Sequence, residues 1–507
     1  MISISFKCSN EVTKSNLVES YCYILESVDS IKNIDKPYFI TEKDVLFFLE
    51  KKNFNNNKEL VSYTVFQDEN LRHCIFAGFS IKNDFEAGSL KESIRNTIGK
   101  IVKYVEKNKI DSIYISIPNF NLINKKELSE LITSTILISS YQYNEYITDK
   151  NKIVFSNTKY IICDEQEIYK EEYLSGIESG TIIGKAVNQA RLWGDKPPSA
   201  LYPKMLADEA FNLLKKHESK VKIKIIEKKE LESLSMGGIV GVGQGSIHDP
   251  VMLIAEYIPK NEFKKTYALV GKGVTFDTGG ISIKPSENME DMKNDMGGGA
   301  AVIAAFDALV SLNIESKLIV CVPIVENMPS GNAIKPGDIL TFYNKKTAEI
   351  KNTDAEGRLI LADALSYISE KYKPDYIIDL ATLTGACCYA VGPLYAAFLT
   401  KNNELKNLVF NSGKTSGDRC WELPFEDDYE IAVESDVADV CNIGKSRYKA
   451  GTITAAFFLK KFVPENIPWV HIDMASVSMH PVGKNYLRPI GATGFGVRLL
   501  IEMLYKN

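Results

Sequence analysis

VGKGVTFDTGGISIKPSENMEDMKNDMGGG, Val270 to Gly299, is the stretch on which the fold of this chain turns. It opens inside the apolar strand Tyr267–Phe276, thins into glycines, and closes at the start of a small-residue helix, Gly299–Leu312. Lys272, Asp277, Lys284 and Asp295 gather around that glycine-rich turn. In open α/β sheets, binding sites form beyond the carboxyl ends of the strands. Lys272 and Asp277 stand five positions apart, which on a regular strand sends them to opposite faces. A bulge near Gly273 would bring both to one side. Asp295 precedes Met296-Gly297-Gly298-Gly299 and the helix, where backbone N–H groups and the helix dipole favour an ionised carboxylate.

Outward from this stretch the alternation continues. Val221–Ile226, Val251–Ile258, Lys317–Val325 and Tyr376–Leu380 read as strands, and Pro203–His217 and Arg358–Lys371 as helices. Unbroken apolar strands separated by helices predict a mostly parallel central sheet covered by helices. Upstream, Ile2–Phe6, Asp111–Ile117 and Lys159–Ile162 read as strands, and Lys91–Lys107 sets Ile94, Ile98, Ile101, Val102 and Val105 at helical spacing. Residues 171–193 form a long helical pattern, stopped by Gly194 and then Pro197-Pro198. The expected architecture is α/β throughout. An N-terminal α/β domain over 1–170 does oligomeric or regulatory work, a linking helix covers 171–195, and a larger catalytic domain covers 196–507.

Composition narrows the function. The chain has 507 residues, with 60 Lys+Arg against 65 Asp+Glu, a net charge of −5. That mild acidity gives no basic footprint for nucleic acid. Hydrophobic residues at 45% and charged residues at 25% fit a globular protein rather than a disordered or fibrous one. No signal-peptide pattern opens the sequence and no apolar run reaches about 18 residues, so a cytoplasmic protein without a membrane span is expected. Nine cysteines lie scattered with no CxxC pair, as suits reduced thiols. The five histidines form no HExxH motif, so a metal site here must rest mainly on carboxylates.

A second cluster, Asn352-Thr353-Asp354-Ala355-Glu356-Gly357-Arg358, precedes the helical pattern LILADAL. If extended, it presents Asn352, Asp354, Glu356 and Arg358 on one face. Together the clusters supply the acids Asp277, Asp295, Asp354 and Glu356 and the cations Lys272, Lys284 and Arg358. Gathering those carboxylates in one buried site requires a strong counter-charge, and two divalent cations supply it. Oxygen donors suit Mn²⁺ and Mg²⁺, and Zn²⁺ also accepts them. Lys272 could itself ligate only when neutral, a form that a neighbouring dication favours. The residues therefore predict a two-metal hydrolase whose scissile group stays open.

Both clusters resemble the leucyl (cytosolic) aminopeptidase family. Its signature NTDAEGRL stands unaltered at Asn352–Leu359, its GKG-x-TFD-[ST]-GG-x-S-x-KPS pattern fits Gly271–Ser286, and its DMGG fits Asp295–Gly298. The paired prolines, GVGQGS at Gly241–Ser246, DLATLTGA at Asp379–Ala386 and HIDMA at His471–Ala475 are similar as well. The resemblance covers roughly residues 185–507.

It implies a metallo-exopeptidase that removes leucine or another apolar first residue from peptides with a free N-terminus, using a bridging water as nucleophile. On this resemblance Asp277 and Glu356 bridge two divalent ions (Zn²⁺ or Mn²⁺, with Co²⁺ or Mg²⁺ as further candidates). Lys272 and Asp295 complete the tighter site and Asp354 the more exchangeable one. Lys284 stabilises the oxyanion, and Arg358 holds a bicarbonate that shuttles the proton. Met292, Thr382, Gly385 and Ala475 fall in the pocket for the first side chain, with Leu383 and Asn352 in the substrate-binding set. Ser478 departs from the larger apolar residue usual there, which leaves pocket size and polarity open. The family also implies a homohexamer. Competing readings are a two-metal phosphoesterase, a non-catalytic or nucleic-acid-binding scaffold, and a dipeptidase restricted to Cys-Gly-type substrates.

Overall fold

The alternation read from Val221 to Leu380 builds one large sheet. The structure is a computed structural model that describes residues 2–8, 20–25, 42–52, 54, 60–67, 70–78, 87–117, 122–153, 157–164 and 166–506. The chain divides into two units, Met1–Lys185 with Gly483–Arg488, and Ala186–Val482 with Pro489–Asn507.

The first unit contains β1 (Ser3–Cys8), β2 (Ser20–Leu25), β3 (Leu60–Gln67), β4 (Asn70–Gly78), β5 (Ser112–Ser116) and β6 (Lys159–Asp164). Among the described residues they form a six-stranded sheet in the order β1-β6-β5-β2-β4-β3, with only β3 antiparallel to its neighbour. The helix read over Lys91–Lys107 spans Ala87–Lys107, and its Ile94, Ile98, Ile101, Val102 and Val105 are buried as their spacing requires. Each such side chain contributes about 2 kcal/mol of burial free energy.

In the second unit the strands are β7 (Val221–Glu227), β8 (Val251–Tyr257), β9 (Thr266–Gly271), β10 (Gly273–Asp277), β11 (Lys317–Asn327), β12 (Ile339–Thr341), β13 (Thr347–Glu349), β14 (Tyr376–Ala381), β15 (Ala396–Thr400), β16 (Cys420–Glu422), β17 (Val440–Cys441) and β18 (Trp469–Asp473). Nine of them make the main sheet, ordered β16-β15-β18-β14-β9-β11-β8-β7 with β10 beside β11. Its centre, β18-β14-β9-β11, is parallel, and antiparallel pairs lie toward both edges. β11 is buried along almost its whole length because helices cover both faces, which is why it reads as an unbroken apolar run. A small sheet, β12-β13-β17, stands apart from the main one.

The strand read as Tyr267–Phe276 is not continuous. It breaks at Lys272, where β9 leaves β14 and β10 continues along β11. The register against β11 then shifts between Val274 and Asp277, so the irregularity that re-aims Asp277 lies beyond Gly273.

Candidate metal centre

Most residues of the site stand at the carboxyl end of a parallel strand or on the loop that follows one. Lys272 follows β9, Asp277 ends β10, Asn327 ends β11, Thr382 and Leu383 follow β14, and Asp473 ends β18. Beyond Asp277 the chain reverses through Gly279 (φ +85°) and Gly280 (φ +64°), a left-handed pair that glycine adopts without strain. That reversal brings Lys284 back over the strand ends.

Asn352–Arg358, whose polar residues would share one face only if extended, is a tight turn. The Asn352 side chain accepts from the backbone N–H of Asp354 at 2.8 Å, and Gly357 begins the helix Gly357–Tyr372. An Asx turn packs the acids together without a strand. The turn still delivers the acids: one carboxylate oxygen each from Asp277, Asp354 and Glu356 lie within 4.8 Å of one another.

The ammonium groups interleave with the acids. Lys272, only 2% exposed, lies 2.8 Å from Asp295 Oδ1 and 2.8 Å from Glu356 Oε1, and donates to the Thr382 carbonyl at 2.8 Å. Lys284 lies 2.7 Å from Asp277 Oδ2 and also contacts Asp354. Asp277 Oδ1 accepts from Gly279 N and from Asn327 Nδ2, both at 2.8 Å, which leaves Oδ2 facing the cluster. Asp295 Oδ1 accepts from Thr382 Oγ1 at 2.8 Å, whereas its buried Oδ2 has no protein partner. Arg358 donates from Nη1 to the Asn442 carbonyl at 2.8 Å, and its buried Nε is unpaired.

The electrostatics follow from crowding in a dry place. Burial pushes the Asp277 carboxyl up to about 6, with Glu356 adding to the shift and Lys284 and Lys272 opposing it. Asp295 is raised further, again chiefly by burial, and Asp354 is raised for the same reason. For Glu356 burial also acts upward, but Lys272 and Lys284 outweigh it and hold its carboxyl below the usual range. Burial likewise acts to neutralise the two lysines, yet the surrounding carboxylates overcome it and keep both charged. Burial lowers the Arg358 guanidinium to about 10. Clustered acids with displaced affinities and an orphaned carboxylate oxygen suit a strong cationic guest.

Four of the six substrate-binding candidates, Thr382, Leu383, Gly385 and Ala475, follow β14 or β18. Thr382 and Leu383 follow β14, and Thr384 caps the helix Gly385–Val391. Ala475 follows β18. Asp473, fully buried, accepts from Leu383 N (3.1 Å), Thr384 Oγ1 (2.6 Å) and Ala475 N (3.2 Å), tying the two loops together. Met292 lies in the one-sided turn Met289–Asn294, and Asn294 Nδ2 reaches the Ser478 carbonyl at 3.4 Å. Ser478 itself is buried.

Asn327, Asn442 and Asp473 escaped the sequence reading. Their side chains hydrogen-bond the charged loops, Asn327 also bonding the Asp277 carboxylate. Their one sequence mark is a polar residue directly after a buried strand, as with Asn327 after the apolar run of β11. Three of the five histidines have carboxylate partners outside the acidic cluster. His471 pairs with Asp379 in the core at 2.6 Å, His480 meets Asp291 at the surface, and His217 meets Asp307.

The profile of the cytosol aminopeptidase family, catalytic domain, matches residues 188–501. The chain belongs to this family. A probable cytosol aminopeptidase of Chlorobium luteolum is 48% identical over 331 residues, 65% of this chain. That match spans 64% of the Chlorobium protein, a little under two thirds of its length. A probable cytosol aminopeptidase of Rickettsia bellii is 38% identical over 413 residues, 81% of each chain. Among solved structures, the bottromycin maturation enzyme BotP in complex with Mn is similar at 27% identity with a TM-score of 0.83, covering 96% of this chain and 99% of that one. Apart from Gly483–Arg488, the residues that the family profile matches belong to the second unit, which carries the whole acidic cluster.

Proposed function

We propose that this chain is a two-metal aminopeptidase that hydrolyses the first peptide bond of peptides with a free N-terminus, preferring leucine or another apolar first residue. The observation that carries the reading is the convergence of Asp277, Asp354 and Glu356 within 4.8 Å, flanked by Lys272 and Asp295. Asp277 and Glu356 would be shared between two divalent ions, Lys272 and Asp295 would serve the tighter site, and Asp354 the more exchangeable one. The unpaired, buried Asp295 Oδ2 and the hard oxygen donors fit such ions. Mn²⁺ or Zn²⁺ is the expected occupant, with Co²⁺ or Mg²⁺ as alternatives, and Mn is the ion named with BotP. When bound, the pair supplies an activated water as nucleophile and polarises the scissile carbonyl.

The chain's own residues do the rest. Lys284, which follows the glycine turn and is 22% exposed, donates to the carbonyl oxygen as negative charge develops there. Asp277 and Asp354, which Lys284 now contacts, would hold a divalent ion, whose charge would release the ammonium toward substrate. Arg358 would hold a bicarbonate, which would supply a proton acceptor for the attacking water; its unpaired, buried Nε fits an anion. Met292, Thr382, Gly385 and Ala475 shape the pocket for the first side chain, Leu383 and Asp295 lie near the substrate backbone, Asn352 belongs to the substrate-binding set, and Ser478 tunes pocket polarity.

The relatives' names support a cytosolic setting, and no helix among the described residues is long and apolar enough to cross a membrane. A homohexamer, with the N-terminal unit in oligomeric or regulatory work and no part for nucleic acid, completes the reading. Metal-dependent release of leucine from a leucyl peptide, with none from its N-acetylated form, is the test. Turnover that ignores added metal would sink the proposal.

A further inference from the structure

We infer that Asn442 is a positioning residue of the metal centre: its side chain holds the turn that carries Asp354 and Glu356 in the shape that lets them converge. The inference rests on the metal-centre reading above.

The small sheet explains why a clasp is needed. β13 and β17 run parallel, and their ladder ends where the Asn442 N–H donates to the Glu349 carbonyl at 3.0 Å. Beyond that bond the backbone at Lys351–Glu356 turns away and has no strand beside it. The Asn442 side chain takes the place of the missing strand. Its Oδ1 accepts from Lys351 N at 2.9 Å and from Asn352 N at 3.4 Å. Its Nδ2 donates to the Asn352 carbonyl at 2.6 Å and reaches the Ala355 carbonyl at 3.5 Å. Donors face one edge of the carboxamide and acceptors the other, so these partners define the orientation of the amide. The residue is 0% exposed, and water has no access to replace it.

The opposite side of the same turn is held separately. Thr353 Oγ1 donates to the Gly279 carbonyl at 2.6 Å and accepts from Ser282 N at 2.8 Å, while Asn327 Nδ2 reaches the Thr353 carbonyl at 3.1 Å. Those contacts link the turn to Asp277 and Lys284. Asn442 alone, among the described residues, braces it from the Arg358 side, since its own carbonyl also receives Arg358 Nη1. One residue thus sets the path of the acid-bearing turn through its side chain and the direction of Arg358 through its backbone. Groups behind metal ligands commonly govern affinity by about 10–100-fold.

The experiment is calorimetric titration of Mn²⁺ alone into the metal-stripped full chain and its Asn442→Ala and Asn442→Asp variants. Asn442→Asp keeps the size and the acceptor for Lys351 N but turns a carboxylate oxygen toward two carbonyls. Both variants are expected to bind Mn²⁺ at least tenfold more weakly at the more exchangeable site. A core variant far from the turn, Leu405→Ala, should lower the melting temperature yet leave Mn²⁺ affinity unchanged, which separates positioning from general loss of stability. Should Asn442→Ala fail to fold, Asn442→Asp decides the matter. Wild-type affinity in a folded Asn442 variant overturns the inference alone. A wild-type chain that takes up no Mn²⁺ overturns the metal centre and the inference with it.

Discussion

Gly357 makes the room that Lys272 fills: a Cβ on Gly357 would lie 2.5 Å from Lys272 Cε, 2.7 Å from Cδ and 2.8 Å from Nζ. Gly357 opens the helix Gly357–Tyr372, where helix propensity alone favours alanine by about 1 kcal/mol. The glycine is there for its neighbour. Lys272 cannot swing aside freely, since its ammonium is held by Asp295, Glu356 and the Thr382 carbonyl. Gly357→Ala should therefore fold at a cost of about 1–3 kcal/mol from overpacking, while turnover falls at least about tenfold, the scale of a disturbed metal environment. Steady-state kinetics beside a thermal melt checks this; unchanged turnover would mean that the placement of Lys272 is immaterial.

The acids and Arg358 should separate by metal content. Asp354→Ala and Glu356→Ala should lose metal-dependent turnover together with bound metal, measured by elemental analysis after dialysis. Arg358→Ala should keep most of the metal and lose about a hundredfold in turnover, the size of a lost proton-transfer aid. An Arg358→Ala protein emptied of metal would remove the bicarbonate role.

Asp473 gives a prediction about selectivity. Its buried carboxylate binds the loops bearing Leu383, Thr384 and Ala475. Asp473→Ala frees those loops, so KM for leucyl substrates should rise about tenfold and the leucyl-to-alanyl preference should flatten, as the loss of one or two hydrogen bonds predicts. Kinetics on the two substrates decides it. A uniform fall in kcat with the preference intact would contradict a role in pocket shape.

Stability should depend on pH through Asp363. This fully buried residue accepts from Tyr343 N at 2.8 Å and Ile239 N at 3.0 Å, yet burial outweighs these bonds and pushes its carboxyl up from 3.8 to about 7. Between those values the unfolded chain has released a proton that the folded chain keeps, so this group's contribution to stability falls as pH rises. Below about pH 4 both states are neutral at this position and the contribution is full. Asp363→Asn cannot ionise and costs about 1–3 kcal/mol through a mismatched acceptor. The wild type's advantage over Asp363→Asn should be largest near pH 4.5 and narrow by pH 7.5 in urea unfolding. An advantage that widens over that range would reverse the assignment.

The centre of the large sheet was legible because its strands are covered on both faces and read as apolar runs, as β11 and β14 do. What periodicity could not show was where a strand changes partner. Lys272 sits in such a break, and nothing in YALVGKGVTF distinguishes it from a continuous strand. The acids were visible as residue types in tight motifs, but their convergence depends on an Asx turn and on a glycine reversal, which alternation does not show. Asn442 was illegible for a different reason. It lies 90 residues from Asn352, whose carbonyl it meets, and only the pairing of two short strands brings them together.

The most direct test is hydrolysis of a leucyl amide and its N-acetylated counterpart by metal-stripped protein, with Mn²⁺, Zn²⁺, Co²⁺ or Mg²⁺ restored one at a time. Cleavage of the free-amine substrate alone, absent without metal and regained with it, is the predicted result. Cleavage of both substrates alike, or of neither with any metal, would contradict a two-metal aminopeptidase.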